Sequence, residues 1–289
     1  MRATLITPSY HRDFEACRFL CETADQFLDP EIDHLLIVPN ADKKLFAPLQ
    51  SARRTLVAQE DLLPRWMKQV PGLRRPWRIT PFSLPVRGWI AQQMIKLASD
   101  WACDSEIFLF ADSDVAFVRP VAAATFIQGD AVRLYHRSGV AQLASHARWN
   151  RAAAELLGLP PQDYFGADFI CQLASWRRSV LLDMRSRIER TARTSWQGCL
   201  CRQWHFSEYV LYGVFAVHGR EQPDPRIFLS DVDVSHSSWH YDLGTEAGVT
   251  DYIARFAPHH VAVHLQSTLD LDVETRRKIV AACAAKYRE

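Results

Sequence analysis

Three short apolar runs, ATLITPSY (3–10), DHLLIVPNAD (33–42) and RRTLVAQEDLLP (53–64), alternate with segments of helical character, and this alternation constrains the fold more than any other feature. The first run is β-branched and stopped by Pro8. DFEACRFLCETADQFL (13–28) then places Phe14, Cys17, Leu20, Cys21, Ala24 and Phe27 at a helical period. Pro39 stops the second run, KKLFAPLQSA (43–52) reads as a short helix, and Thr55–Ala58 is a third strand candidate. A Pro- and Arg-rich stretch, 71–88, leads into GWIAQQMIKLASDWA (88–102), a partly buried helix, and then into IFLFA (107–111). Strand–helix alternation predicts a parallel sheet covered on both faces, and such sheets bind ligands beyond the carboxyl ends of their strands.

Later segments continue the pattern. DAVRLYH (130–136), FICQLAS (169–175), RIFLS (226–230) and HVAVHLQ (260–266) read as strands, and SVLLDMRSRIERTA (179–192) and SEYVLYGVFAVH (207–218) as helices. No internal repeat, low-complexity tract or linker interrupts them. A chain of 289 residues supplies a core that needs no staple, so the expectation is one domain over 1–289, with a nucleotide-binding half to about 120 and an acceptor-side half over 121–289.

Composition excludes several classes. Lys and Arg total 34 against 33 acidic residues, so no global positive field exists to hold nucleic acid. The basic runs RPWR and ASWRRSVLLDMRSRIER read as strand ends and solvated helix faces. Seven scattered cysteines suggest buried thiols in a reducing compartment. The N-terminal apolar stretch is too short for a signal peptide core and no run approaches a membrane span, so the expected location is cytoplasmic with at most peripheral membrane contact. Phosphate loops of the GxGxxG and GxxxxGK types and a GxSxG elbow are absent. Cys199 and Cys201 with His205 lack the spacing of a zinc site.

The chemistry concentrates where IFLFA ends. Asp112 and Asp114 flank Ser113, and in a strictly extended strand both carboxylates share a face and repel by a few kcal/mol unless a cation lies beside them. Oxygen ligands favour Mg²⁺ or Mn²⁺. A second pair, Asp231 and Asp233, follows RIFLS and competes for the same role; the first pair is preferred because it follows the alternating strands that should hold a nucleotide.

The blocks TLITPSY, LLIVPNAD, GWIAQQMIKLA, FLFADSDV, FSEYVLYG and HLQST together resemble bacterial GT-A-fold glycosyltransferases, in particular a DxD-containing glycosyltransferase-like group, over most of the chain. The resemblance implies an α/β fold: a GT-A-like, Rossmann-type mixed sheet flanked by helices in a single large domain. It implies a divalent metal at Asp112 and Asp114 bridging the diphosphate of a nucleotide-sugar donor, with His264 returning as a third ligand. A lysine often found downstream of that histidine in related sequences is missing here, where Leu-Gln-Ser-Thr follows.

Around that frame, Pro8, Ser9 and Tyr10 are candidates for base and ribose contact, as are Asn40 and Asp42; each triplet or pair also reads as a plain turn. Gln93 and Lys96 share a helix face and are candidates for donor phosphate or sugar. Glu208 lies amid apolar residues that should raise its pKa toward that of a general base, although Ser207 and Glu208 also read as a helix cap and first turn. His205 is the alternative base, and Asp168 a candidate for donor or acceptor hydroxyls. Nine tryptophans are many for this length, and Trp89, Trp204 and Trp239 stand nearest the polar blocks as platforms for sugar rings. The expected activity is transfer of a sugar from a nucleoside-diphosphate donor to a glycan, lipid-linked or small-molecule acceptor. The alternative is a catalytically silent GT-A-like module that binds a glycan or nucleotide sugar within a polysaccharide-assembly complex.

Overall fold

The computed structural model describes residues 1–70, 77–81, 83–140, 142–269 and 271–287. Its centre is a five-stranded sheet in the order Ala174–Arg177, Ile107–Phe110, Ala3–Pro8, Asp33–Val38, Arg54–Ala58. The last four run parallel, with Ile6 aligned to Phe110 on one side and to Leu35 on the other. Ala174–Arg177 joins antiparallel to Ile107–Phe110, so the sheet is mixed rather than purely parallel.

Period-two burial explains why both faces are covered. Ile6, Leu35, Ile37, Phe108 and Phe110 enter one core, beneath helices Gly88–Leu97, Ala144–Leu157, Arg178–Ala192 and Glu208–His218. Their neighbours Leu5, Leu36, Val38, Ile107 and Leu109 enter a second core, under helix Phe14–Phe27. Strands buried on both sides lose the alternation of polar and apolar residues and read as continuous apolar runs, as these do.

The FICQLAS expectation is shifted by the structure. The strand is Ala174–Arg177, because Asp168 Oδ1 accepts the Ile170 N–H at 3.0 Å and turns the chain before Cys171. The other expected strands and helices form, with Ala131–Tyr135 pairing parallel to Ile227–Ser230. Of the Pro- and Arg-rich stretch, residues 71–76 and 82 lie outside the described residues, so RPWR is described only from Trp77, which opens strand Trp77–Ile79.

A small second sheet fixes the site. Val115–Phe117 pairs antiparallel with Ala262–His264, which pairs parallel with Ser235–Ser237. The chain therefore passes from the central sheet to this one between Phe110 and Val115, through a turn closed by the Val115 N–H on the Asp112 carbonyl (3.1 Å). Arg185, in the second basic run, is buried and holds Asp100 with two bonds of 2.6 and 2.8 Å, a structural role. All seven cysteines are unpaired, and among the described residues no helix is long and apolar enough to cross a membrane.

Candidate functional site

Strand order reverses direction between Ala3–Pro8 and Ile107–Phe110: the chain leaves the first strand toward Asp33–Val38 on one side and returns later on the other. A crevice at the carboxyl ends of two such strands is the usual ligand position of an open α/β sheet. Ser9 follows the first strand and Ser113 the other, and their hydroxyls meet at 3.3 Å, both buried.

Asp112 and Asp114 do not lie in an extended strand with side chains on one face, as the sequence suggested. The turn separates them. Asp112 Oδ1 stands 3.0 Å from Lys96 Nζ, an ion pair. Asp114 Oδ2 accepts the Ser267 N–H at 2.7 Å and stands 3.5 Å from His264 Nε2. His264 is aligned with Val115 across the strand pair, so the second sheet brings the late histidine beside the aspartate. Burial raises the Asp114 pKa, but the His264 ring and the Ser267 N–H outweigh it and hold the carboxyl below its usual range. Trp239 stacks on His264 with ring centres 5.5 Å apart, and Ser237 and Ser238 lie 3.4 and 3.5 Å from its Nδ1.

Lys96 is a buried cation between carboxylates. Its Nζ is 3.0 Å from Glu208 Oε1 and donates to the Tyr209 hydroxyl at 2.8 Å. Burial pulls its pKa down, yet Asp112, Tyr209 and Glu208 together hold it well above the ordinary lysine value. Gln93, one turn back on the same helix, accepts the Glu208 N–H at 2.9 Å. That contact satisfies one free donor at the start of helix Glu208–His218, and Ser207 caps the same end on the Val210 N–H. Glu208 is buried and opens a helix, as the cap-and-first-turn reading expects. Sequence reasoning did not anticipate that Lys96 would occupy the Glu208 carboxylate.

Other expected residues scatter around this centre. Tyr10 is partly exposed, edge-on to His11 at 5.4 Å between ring centres. Pro8 ends the first strand opposite Ile37. Asp42 accepts the His11 N–H at 2.8 Å and so ties the loop after the second strand to the loop after the first, while the Asn40 N–H is held by Glu60. Asp168 is half-buried in the pair Arg137–Ser138 with Ala167–Asp168, with its pKa raised by burial. Asp233 accepts the Ser235 N–H and hydroxyl at 2.9 and 2.7 Å, a local turn. Cys201 packs 4.0 Å from Met94 sulfur inside the core.

Two residues of the site were missed. Asp13 is pushed up to about 6, first by burial and then by the charges of Asp114 and Asp112. Arg276 carries an opposing charge toward Asp114 and Asp13, while its guanidinium binds the carbonyls of Leu271, Gln266 and Leu269. Neither sits in an apolar run or a recognisable motif, so no local signal marks them.

Among the described residues no three His, Cys, Asp or Glu side chains converge into a preformed metal cage. The donor set nevertheless suits a hard divalent ion. Asp114 Oδ1 is buried without a partner, a state that costs free energy until something positive satisfies it, while Asp112 Oδ1 already faces the Lys96 ammonium at 3.0 Å.

Residues 3–287 match the model of a family of unknown function (DUF6492). The chain belongs to that family. No curated protein matches it significantly in sequence. Among solved structures, it is similar to an active-site mutant of LgtC (TM-score 0.45, 11% identity, 96% of this chain and 95% of that one). It is similar as well to a galactosyltransferase LgtC in complex with donor and acceptor sugar analogs (TM-score 0.47, 12% identity, 96% and 95%). Mouse xyloside xylosyltransferase 1, apo form, scores 0.48 at 12% identity over 93% of this chain and 99% of that one. Likeness at this level carries no inference about site or reaction.

Proposed function

We propose that the protein is a metal-dependent glycosyltransferase that moves a sugar from a nucleoside-diphosphate donor to a carbohydrate or lipid-linked acceptor. The observation that carries this reading is the placement of Asp112 and Asp114 just beyond the strand where the sheet reverses, Asp114 with a buried, unpartnered Oδ1 and its other oxygen beside His264, and Asp112 with Oδ1 against the Lys96 ammonium. Asp112, Asp114 and His264 are the residues to hold Mg²⁺ or Mn²⁺, which when bound supplies Lewis-acid stabilisation of charge on a departing diphosphate.

The chain's own side chains have the following roles in this reading. Lys96 keeps its proton in the crevice and places a fixed positive charge beside Asp112, where a diphosphate oxygen gains most from it. Ser9, Ser113 and Tyr10 line the nucleoside end, with Asn40 and Asp42 beyond. The Ser267 N–H orients Asp114, so the loop that lacks the lysine expected from related sequences serves through its backbone. Glu208 takes the acceptor proton as general base, and Asp168 binds sugar hydroxyls from the opposite half.

The ion pair of Glu208 with Lys96 at 3.0 Å favours a second reading of that one residue: a positioning carboxylate that steers Lys96. The whole proposal is tested by thermal shift of the purified chain with a panel of nucleoside diphosphates, with and without Mn²⁺, followed by hydrolysis and transfer assays on the matching nucleotide sugars. Metal-dependent stabilisation with sugar release supports the enzyme. Stabilisation without release under any acceptor supports a silent binding module, and no stabilisation removes both.

A further inference from the structure

A concave groove of about 410 Å³ is lined by residues to which the reading above gives no role. Buried Val86 and Ile90 and exposed Leu84 line it together with Arg87, Arg202 and Trp204. That volume is within the range of small-ligand sites, roughly 300–1,000 Å³.

The groove carries two arginines. The Arg87 guanidinium lies over the Trp204 ring, 3.9 Å from its centre. Among the described residues neither Arg87 nor Arg202 makes an ion pair with a carboxylate. His205, next in the chain, has its pKa lowered by burial and then by the charges of Arg148 and Arg87, so a third arginine contributes to the same field. A guanidinium over an indole can still offer N–H groups to a planar or tetrahedral oxyanion. The Trp204 indole is 46% exposed, an aromatic surface suited to the apolar face of a sugar ring.

Two segments join groove and crevice. Helix Gly88–Leu97 carries Ile90 in the groove and Lys96 in the crevice, about 9 Å further along its axis. The segment from Cys201 to Trp204 runs on through Ser207 to Glu208.

We propose that this groove binds a saccharide bearing a carboxylate or a phosphate, as the acceptor of the transfer reaction. The proposal rests on the glycosyltransferase reading for the word acceptor, but its binding step stands alone and is measured without donor or metal.

Isothermal titration of the full chain with a glucuronate-containing disaccharide, a hexose phosphate and a neutral disaccharide is the experiment. The expected result is binding of one or both acidic sugars, the two arms telling carboxylate from phosphate, and weak or no binding of the neutral one. Arg87→Gln and Trp204→Ala should each weaken it roughly tenfold or more, with melting curves confirming that both variants fold. Asp114→Asn should leave it unchanged while abolishing metal-dependent binding of nucleoside diphosphate. Equal binding of the neutral sugar, no binding of any, or indifference to Arg87→Gln overturns the assignment. Sedimentation with anionic phospholipid vesicles, lost in Trp204→Ala and without any saccharide binding, overturns it in favour of a membrane surface. Loss of the donor site alone, with acidic-sugar binding intact, refutes the enzyme and spares the groove.

Discussion

Lys96 and Glu208, from two different helices, meet at 3.0 Å with both side chains almost wholly removed from water. Asp112, whose side chain is 37% exposed, stands 3.0 Å from the same ammonium. Lys96 and Glu208 have lost most of their hydration, and removing the lysine leaves the buried Glu208 carboxylate uncompensated.

Lys96→Met is therefore expected to destabilise the fold by about 3 kcal/mol, read as a melting temperature lower by roughly 5 °C. Lys96→Met combined with Glu208→Gln should recover part of that loss, because the second change removes the stranded charge. An unchanged melting temperature in the single variant would show that water reaches the pair.

Asp114→Asn tests the metal. The variant should keep its fold and lose most Mn²⁺-dependent stabilisation by nucleoside diphosphates, since the amide presents a neutral oxygen to the cation. Addition of a chelator to the native chain should reproduce the effect. Equal nucleotide affinity in variant and native protein would refute the assignment.

Glu208→Gln separates the two roles of that carboxylate. A general base predicts retained donor affinity with a rate lower by about 10² or more. A positioning role predicts weaker donor binding through Lys96, with both constants altered together. Steady-state kinetics over donor concentration distinguishes them.

Acid should loosen the protein through His260. Its ring is buried, its Nδ1 accepts the Ala257 N–H at 2.9 Å, and its pKa is lowered to about 3, by burial first and then by His236 and His259. Between about 6.5 and 3 the unfolded chain takes up a proton that the folded chain refuses, so stability falls as pH drops through that window. His260→Gln should flatten the decline in melting temperature between pH 7 and pH 5; an identical slope would place the acid sensitivity elsewhere.

Gly213→Ala probes the support of Asp168. A Cβ at position 213 would stand 2.2 Å from the Phe169 ring, so that ring must move. Overpacking of this kind costs roughly 1–3 kcal/mol, and in a Phe169→Ala background, which removes both ring atoms at 2.2 Å and leaves Cβ at 2.8 Å, the same Gly213→Ala change should lower the melting temperature less. An equal drop in both backgrounds would show that the backbone, not the ring, gives way.

Much of the fold was determined by the sequence itself. Continuous apolar runs such as DHLLIV can be buried on both faces only as interior strands, and the proline or aspartate that stops each run marks the carboxyl end where ligands gather. These signals are local, set by backbone dihedrals and the two-residue period of a strand, so they are legible without neighbours. Tertiary structure alone decided what the charged groups do. Lys96 and Tyr209 are separated by 113 positions, and nothing near either one in the chain announces the contact. The turn at Ser113 sent Asp112 to Lys96 and Asp114 to His264 instead of leaving them side by side, and it placed both near Asp13, a residue no motif contains. Whether a carboxylate is solvated, paired or stranded depends on which distant element packs over it, and that is a property of the folded chain rather than of its local order.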